Sequence, residues 1–355
     1  MDKAVLTDRK LKELISEGQL RHTSGLDLND YIQPASIDIP VGDKAYMVKF
    51  KFLPFMKNIK DVVESISLEE LDLAENPVLY KGQTYLIPCL NFTSMPKGTC
   101  LRVSPKSSIG RIDLMVRAIC DNSSYYDYID EPKGTLWVEV TPRSFNVRLS
   151  KGTALSQLMI LEEADTTFDL SDMQLAFDEQ EEPVQLRRYA RDEIILSIDI
   201  PEEKTIGYVA RTTNEIIDLN KKAHHDKKTF FEEMRTYGTH YRKISLEQGK
   251  FYILKTKEFI QIPPGFSGEM VPLNNLLGEF RVHYAGFFDP GFGYGIKGNQ
   301  GVLEIRPHED LVVYDGQPIC SMKFYRNTEE PEKLYGLAGN NYAKQKGVKL
   351  AKYFK

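Results

Sequence analysis

Residues 105–111 read PKSSIGR, which sets two hydroxyls, Ser107 and Ser108, and a cation three residues on, Arg111, into a turn just ahead of an apolar strand. Hydroxyls, adjacent backbone N–H groups and a guanidinium fork form a cradle for phosphate oxygens. By composition alone the stretch also reads as a polar turn with a surface arginine. The second reactive group is Glu139, in LWVEVTP (residues 136–142), flanked by Leu136, Trp137, Val138 and Val140. An acid midway along such a strand faces either solvent or a cleft, where it could take a proton from water.

Other catalytic equipment does not show in the sequence. The six histidines, His22, His224, His225, His240, His283 and His308, form no HExxH and no H-x-E with a distal PCxxC, so no zinc-activated water is expected. Cys89, Cys100, Cys120 and Cys320 make no CxxC pair and are read as reduced core thiols. GFGYG (residues 291–295) lacks the strand-to-helix setting of a dinucleotide fold. A net charge of -5 gives no global attraction for nucleic acid or an anionic membrane, so an anionic ligand needs a local site. No apolar run approaches the ~20 residues of a membrane span. The first 18 residues carry charges where a signal peptide needs an apolar core, which predicts a soluble, cytoplasmic chain.

The elements that must position these residues come in two copies. SIDIP occurs at residues 36–40 and again at 197–201. Gly82-Gln83-Thr84-Tyr85 corresponds to Gly249-Lys250-Phe251-Tyr252, and LWVEVTP to VLEIRP (residues 302–307), with Glu139 opposite Glu304. Such drifting offsets are those of a duplicated unit with small loop changes. The 355 residues divide into 1–185 and 186–355. Within each copy, short runs such as TYLIPCLNF and ALSQLMIL, bounded by Gly and Pro, read as strands of an antiparallel barrel or jelly roll. The class expected is all-β, two tandem barrels with a few peripheral helices. One helix is predicted over residues 7–18, with a Thr7 cap and a terminating Gly18, and a second, charge-rich one over 213–235. The acidic stretch 162–185 reads as an irregular connection.

QPASIDIPVG (residues 33–42), then PKSSIGR, then a glutamate inside an apolar strand together resemble the dCTP deaminases of the trimeric dUTPase superfamily, closest to their long, tandem form. The likeness covers most of the first half. It implies dUTPase-like distorted jelly-roll barrels, with Ser107 and Arg111 polarising the active site, Glu139 as general base, and Lys106, Ser107, Ser108 and Arg111 binding the triphosphate. Backbone around Ile119 and Cys120 would meet the pyrimidine edge. RAICDNSSYYDYIDEPKG (residues 117–134) departs from the family's D-P-G turn, which leaves Asp121 and Asn122 unassigned. The second half has that turn, in YAGFFDPGFGYG, but carries Asn274, Asn275 and Gly278 where the first has Ser107, Ser108 and Arg111. It is therefore expected to scaffold, with Glu304 read as a structural strand-end acid and a catalytic role as the alternative. NYAKQKG in the C-terminal tail resembles the family's nucleotide-closing K-Y-x-x-Q-x-G tail and adds Tyr342, Lys344 and Gln345 as substrate contacts; a solvated basic tail is the alternative.

The expected function is hydrolysis of dCTP to dUTP and ammonia. Mg²⁺ is expected on the triphosphate rather than in a protein cage, and no zinc. A dUTPase or bifunctional deaminase and diphosphatase giving dUMP is the enzymatic alternative, and a nucleotide-binding regulator the non-enzymatic one. A homo-oligomer, a trimer by resemblance, is expected, with neither nucleic acid nor membrane as partner.

Overall fold

The structure is a computed structural model that describes all residues except 1, 54, 56, 122, 165–167, 171–186, 202–204, 236–241, 274–285 and 337–346. Strands dominate both halves. In the first, Ala154–Ala164 lies between Asp2–Val5 and Cys100–Pro105 and also pairs with Ile37–Pro40 of the first SIDIP. A second sheet runs through Thr84–Phe92, Gly134–Pro142 and Leu114–Cys120. The alternate apolar side chains of these strands fill the space between the sheets, so Leu86 aside, residues such as Tyr85, Ile87, Val138 and Val140 form one core. The second half repeats the plan. Pro318–Arg326 lies between Glu193–Ser197 and Phe266–Pro272, and Tyr252–Ile260 pairs with Asn299–Ile305. These strands enclose a separate core around Leu196, Leu254, Leu303 and Met322.

Register and turns bear the marks of duplication. Glu139 lies opposite Leu86, and Glu304 opposite Ile253. Tyr85 accepts a hydrogen bond at its hydroxyl from the Tyr80 N–H (3.0 Å), as Tyr252 does from the Glu247 N–H (2.9 Å). Gly82 N–H donates to Pro142 O at 2.8 Å, and Gly249 N–H to Pro307 O at 3.0 Å. A repeated turn with repeated partners fixes the same strand register twice.

The halves are not independent beads. Asn146–Arg148 pairs in parallel with Ile216–Asp218, joining the two in one small sheet. Phe230, Phe231, Leu350, Tyr353 and Phe354 all enter the first core, with Phe145 edge-on to Phe230 and Phe231 at 5.3 Å. This explains why the helix predicted over 213–235 does not form. Its apolar residues are claimed by the neighbouring unit, and the stretch becomes the strand Ile216–Asp218, one turn at Lys227–Phe230 and the edge strand Phe231–Arg235. The charges that suggested a helix face are the exposed side of that edge.

The N-terminal helix is present as Asp8–Ser16, burying Leu11 and Leu14. It ends in a Schellman arrangement: Gly18 at φ +72° donates to Ile15 O and Gln19 to Leu14 O. Thr7 holds the N-cap position, but its hydroxyl bonds Glu329 at 3.4 Å rather than capping the helix. The stretch 162–185 begins as strand, with Glu162 opposite Ala4, and Phe168 is buried against Phe266; 171–185 lie outside the described residues. The four cysteines are buried and free. Among the described residues no helix is long and apolar enough to cross a membrane.

Candidate active site

The turn at Ser107–Gly110 is set by its flanks. Lys106 N–H is held by Leu155 O at 3.0 Å, Ile109 and Gly110 N–H groups return to Lys106 O at 2.7 and 3.0 Å, and buried Ile109 and Ile112 pin the turn to the core. This leaves Ser107, Ser108 and Arg111 on one wall of a cleft. Arg111 is buried, and its Nη1 donates to Lys349 O at 2.7 Å, so the C-terminal segment aims the guanidinium.

The facing wall belongs to the second half. Glu304, 3% exposed on the strand Asn299–Ile305, places a carboxyl oxygen 3.8 Å from Arg111 Nε. Burial pushes its pKa up to about 8, against the pull of Arg111. A carboxyl so tuned changes charge near neutral pH, where a proton-transfer group works best. Gly286 lies so near the turn that a Cβ there would be 3.6 Å from Ser107 Oγ. Phe288 meets Phe292 edge-on at 4.9 Å, Phe292 meets Tyr335 at 5.6 Å, and these rings form an apolar side of the cleft.

The first SIDIP joins the walls. Asp289, the acid of the D-P-G turn, is buried and accepts from Ser36 Oγ at 3.1 Å and Ala35 N–H at 3.3 Å. Burial lifts it to about 6, partly offset by these bonds. Gly291, at φ +94°, closes the turn where a Cβ would come within 2.9 Å of Leu334. Asp38 pairs with Lys106; burial raises its pKa while Lys106 opposes the rise. Lys352 adds a cation whose pKa is lowered by burial and by Lys106 and Lys222. The second SIDIP stays within its own unit: Ser197 binds Glu258 through N–H and hydroxyl at 2.9 and 2.5 Å, and Asp199 pairs with Lys255.

Of the residues singled out in the sequence, Lys106, Ser107, Ser108 and Arg111 come together in this cleft. Glu139 does not join them. Its carboxylate meets Lys51 Nζ at 2.9 Å and the Tyr126 hydroxyl at 3.3 Å. It is 3% exposed, on the strand that also carries Trp137, which packs with Leu86, Ile119 and the helix Ile59–Ile66. Lys51, Phe52 and the helix Ile59–Ile66 thus cover the position in the first half that corresponds to the cleft wall in the second. Ile119 belongs to that covering cluster, and Cys120 lies in the first core with its thiol toward Lys133 O at 3.6 Å. Their counterparts at the repeat offset, Gly286 and Phe287, line the cleft. Asp121 is structural, accepting from Ile59 N–H and Thr135 N–H at 2.9 Å each. Asn122, Asn274, Asn275, Gly278, Tyr342, Lys344 and Gln345 lie outside the described residues. The second half, expected to scaffold, supplies Glu304, Asp289 and the aromatic wall. The signal for Glu304 was in the sequence, in its alignment with Glu139.

Known proteins share this organisation. Residues 2–164 match the family model of the 2'-deoxycytidine 5'-triphosphate deaminase N-terminal domain, and residues 166–354 that of its C-terminal domain. A protein of Methanothermobacter thermautotrophicus named "dCTP deaminase, dUMP-forming" is 30% identical over 114 residues, 31% of this chain and 57% of that protein. One of the same name from Dictyoglomus thermophilum is 25% identical over 116 residues, 32% and 59% of the two chains. The match thus spans little more than half of each curated relative. The crystal structure of 2'-deoxycytidine 5'-triphosphate deaminase from Agrobacterium tumefaciens superposes with a TM-score of 0.85 at 33% identity, over 94% of this chain and 100% of that one. With both halves matched in order and the fold shared from end to end, the chain belongs to the 2'-deoxycytidine 5'-triphosphate deaminase family.

Proposed function

We propose that the chain hydrolyses dCTP to dUTP and ammonia in the composite cleft, with Glu304 rather than Glu139 as the general base. The observation that carries this reading is the 3.8 Å approach of Arg111, from the first half, to the buried Glu304 of the second. Glu304 takes a proton from water as the oxygen bonds to C4 of cytosine. It then delivers that proton to N3, takes the second proton from the new C4 hydroxyl and passes it to the amine, and the C4–N bond breaks as the carbonyl forms and ammonia leaves. Arg111 and Ser107 stabilise the charge that develops on the ring. The backbone of Gly286 and Phe287 meets the pyrimidine edge, and Phe288 and Phe292 flank the sugar. Lys106, Ser108 and Lys352 face the triphosphate.

Among the described residues no three His, Cys, Asp or Glu side chains gather as a metal-holding group, and Asp38 is already paired with Lys106. That donor set suits an anion, so Mg²⁺ would be held by the nucleotide's own phosphate oxygens, where it offsets their charge.

A second reading, deamination followed by release of pyrophosphate to give dUMP, is supported by the names of the two curated relatives. Incubation with dCTP and Mg²⁺ separates the two. Equal yields of ammonia and dUTP are expected. Ammonia with dUMP and pyrophosphate would favour the bifunctional reading, and absence of ammonia would overturn both.

The same reading places the chain in the cytoplasm as a homo-oligomer, a trimer. Exposed Phe50, Leu53 and Phe55 beside the covered Glu139 supply apolar surface for such contact. Light scattering on the purified chain should give three times the 40.7 kDa mass; a monomer would remove this part of the proposal.

A further inference from the structure

Two residues beyond Arg111 stands Asp113, and two beyond Glu304 stands Arg306. Asp113 is fully buried and holds φ +55°, a left-handed conformation that Asp and Asn tolerate better than other side chains. Its backbone is fixed on both sides, N–H to Gly110 O at 2.9 Å and O to Arg143 N–H at 3.0 Å. Its Oδ2 forms an ion pair with Arg306 Nη2 and accepts from Ser144 Oγ at 2.5 Å, while Arg306 Nη2 also donates to Ser144 Oγ at 2.9 Å. Arg306 Nη1 reaches Gly249 O in the neighbouring turn of its own unit. Residues two apart on an extended chain share a face, so Glu304 and Arg306 both look toward the first half.

The halves therefore meet through two crossed charge pairs. The first half presents cation then anion, Arg111 then Asp113, and the second presents anion then cation, Glu304 then Arg306. One pair is closed and hydrogen-bonded. The other stands 3.8 Å apart at the cleft, where substrate must enter.

We infer that Asp113 and Arg306 are positioning residues for deamination: their ion pair holds the turn bearing Arg111 against the strand bearing Glu304. This rests on Glu304 being the base. Among the described residues, the groups facing Glu304 are Arg111 from the turn and the buried Cys320 thiol of Pro318–Arg326, whose pKa Glu304 helps to raise; Lys106, Lys352 and Asp289 line the same cleft. Without Asp113 the turn loses this link to the strand, Arg111 is held less closely to Glu304, and its pull on the Glu304 carboxyl weakens.

The test is the pH dependence of dCTP turnover by the full chain, with dCTP binding measured by calorimetry. Asp113→Asn, which tolerates the left-handed backbone, should lower kcat by ~10- to 100-fold with Kd changed less than about threefold. Its ascending pH limb should move toward higher pH, because Arg111 is no longer held at Glu304. Adding Arg306→Gln should change kcat and limb little further, since the pair is already broken. A merely structural pair would lower Tm without moving the limb. If Asp113→Asn does not yield folded protein, Arg306→Lys carries the test: it keeps the charge but loses the fork, so kcat should fall by about fivefold or more. Wild-type kcat and limb in Asp113→Asn, or wild-type kcat in Arg306→Lys, overturns the inference. Glu304→Gln profiled alongside separates the two layers. If it is inactive while Asp113→Asn behaves as wild type, only the positioning role fails; if it turns over normally, the assignment of the base fails first.

Discussion

Glu304→Gln should lower dCTP turnover by ~10³-fold while leaving nucleotide binding nearly intact, and Glu139→Gln should keep turnover within about threefold of wild type. Gln preserves shape and hydrogen bonding but cannot take a proton. Both glutamates are buried strand residues at equivalent positions of a repeat, so the contrast rests on neighbours. Glu139 is paired with Lys51 and accepts from the Tyr126 hydroxyl beneath a cover of neighbouring side chains, and Glu304 faces Arg111 across the cleft. The base must be ionised to act, and burial holds Glu304 up to about 8. Hence log(kcat/KM) should rise by about one unit per pH unit and level off above roughly pH 8. Stability should run the other way. The folded pKa lies above the ordinary carboxylate value of 4.5, so the folded chain keeps a proton that the unfolded chain releases between 4.5 and about 8. Stability is full below that window and declines across it, by on the order of a few kcal/mol. Glu304→Gln should flatten this decline, giving a higher Tm than wild type at pH 8. Inactivity of Glu139→Gln with normal Glu304→Gln would reverse the assignment.

The sequence made the duplication and the anion-binding turn legible because both are local. Tyr85 and Tyr252 occupy matching turns, and the hydroxyl of each accepts a backbone N–H from the residue five before it. Likewise, PKSSIGR needs only its own flanks to fold. The partner of that turn was harder to see. LWVEV and VLEI read alike as strands, and nothing within either shows which glutamate faces the cation. The answer depends on which face of one unit docks on the other, and on Lys51, Phe52 and the helix Ile59–Ile66 closing over Glu139, both consequences of packing between distant residues. The same holds for 213–235, where Phe230 and Phe231 serve the first core and override a helical charge pattern. Loss of the hydroxyls and cation at 274–278 indicated that the second copy makes no triphosphate turn of its own. It did not indicate that this copy lends its acid to the first.

Arg111→Ala should reduce kcat/KM by ~10³-fold or more, through both kcat and KM, because one guanidinium touches two functions. Its Nη1 is fixed on Lys349 O at 2.7 Å, and its Nε lies 3.8 Å from Glu304, so it stands between the C-terminal segment and the base. Removing it deprives a buried carboxylate of its nearest compensating charge, which makes the ionised form costlier still. The Glu304 pKa, already raised, should climb further, and the ascending pH limb of the residual activity should move to higher pH. Arg111→Lys restores the charge without the fork and should bring the limb back toward its original position while recovering only part of kcat. That separation distinguishes electrostatic tuning of Glu304 from stabilisation of the reacting ring, since the first needs only charge and the second needs directed N–H groups. An Arg111→Ala enzyme with a normal limb and normal kcat, altered only in Tm, would make Arg111 a structural link between the halves and remove it from the chemistry.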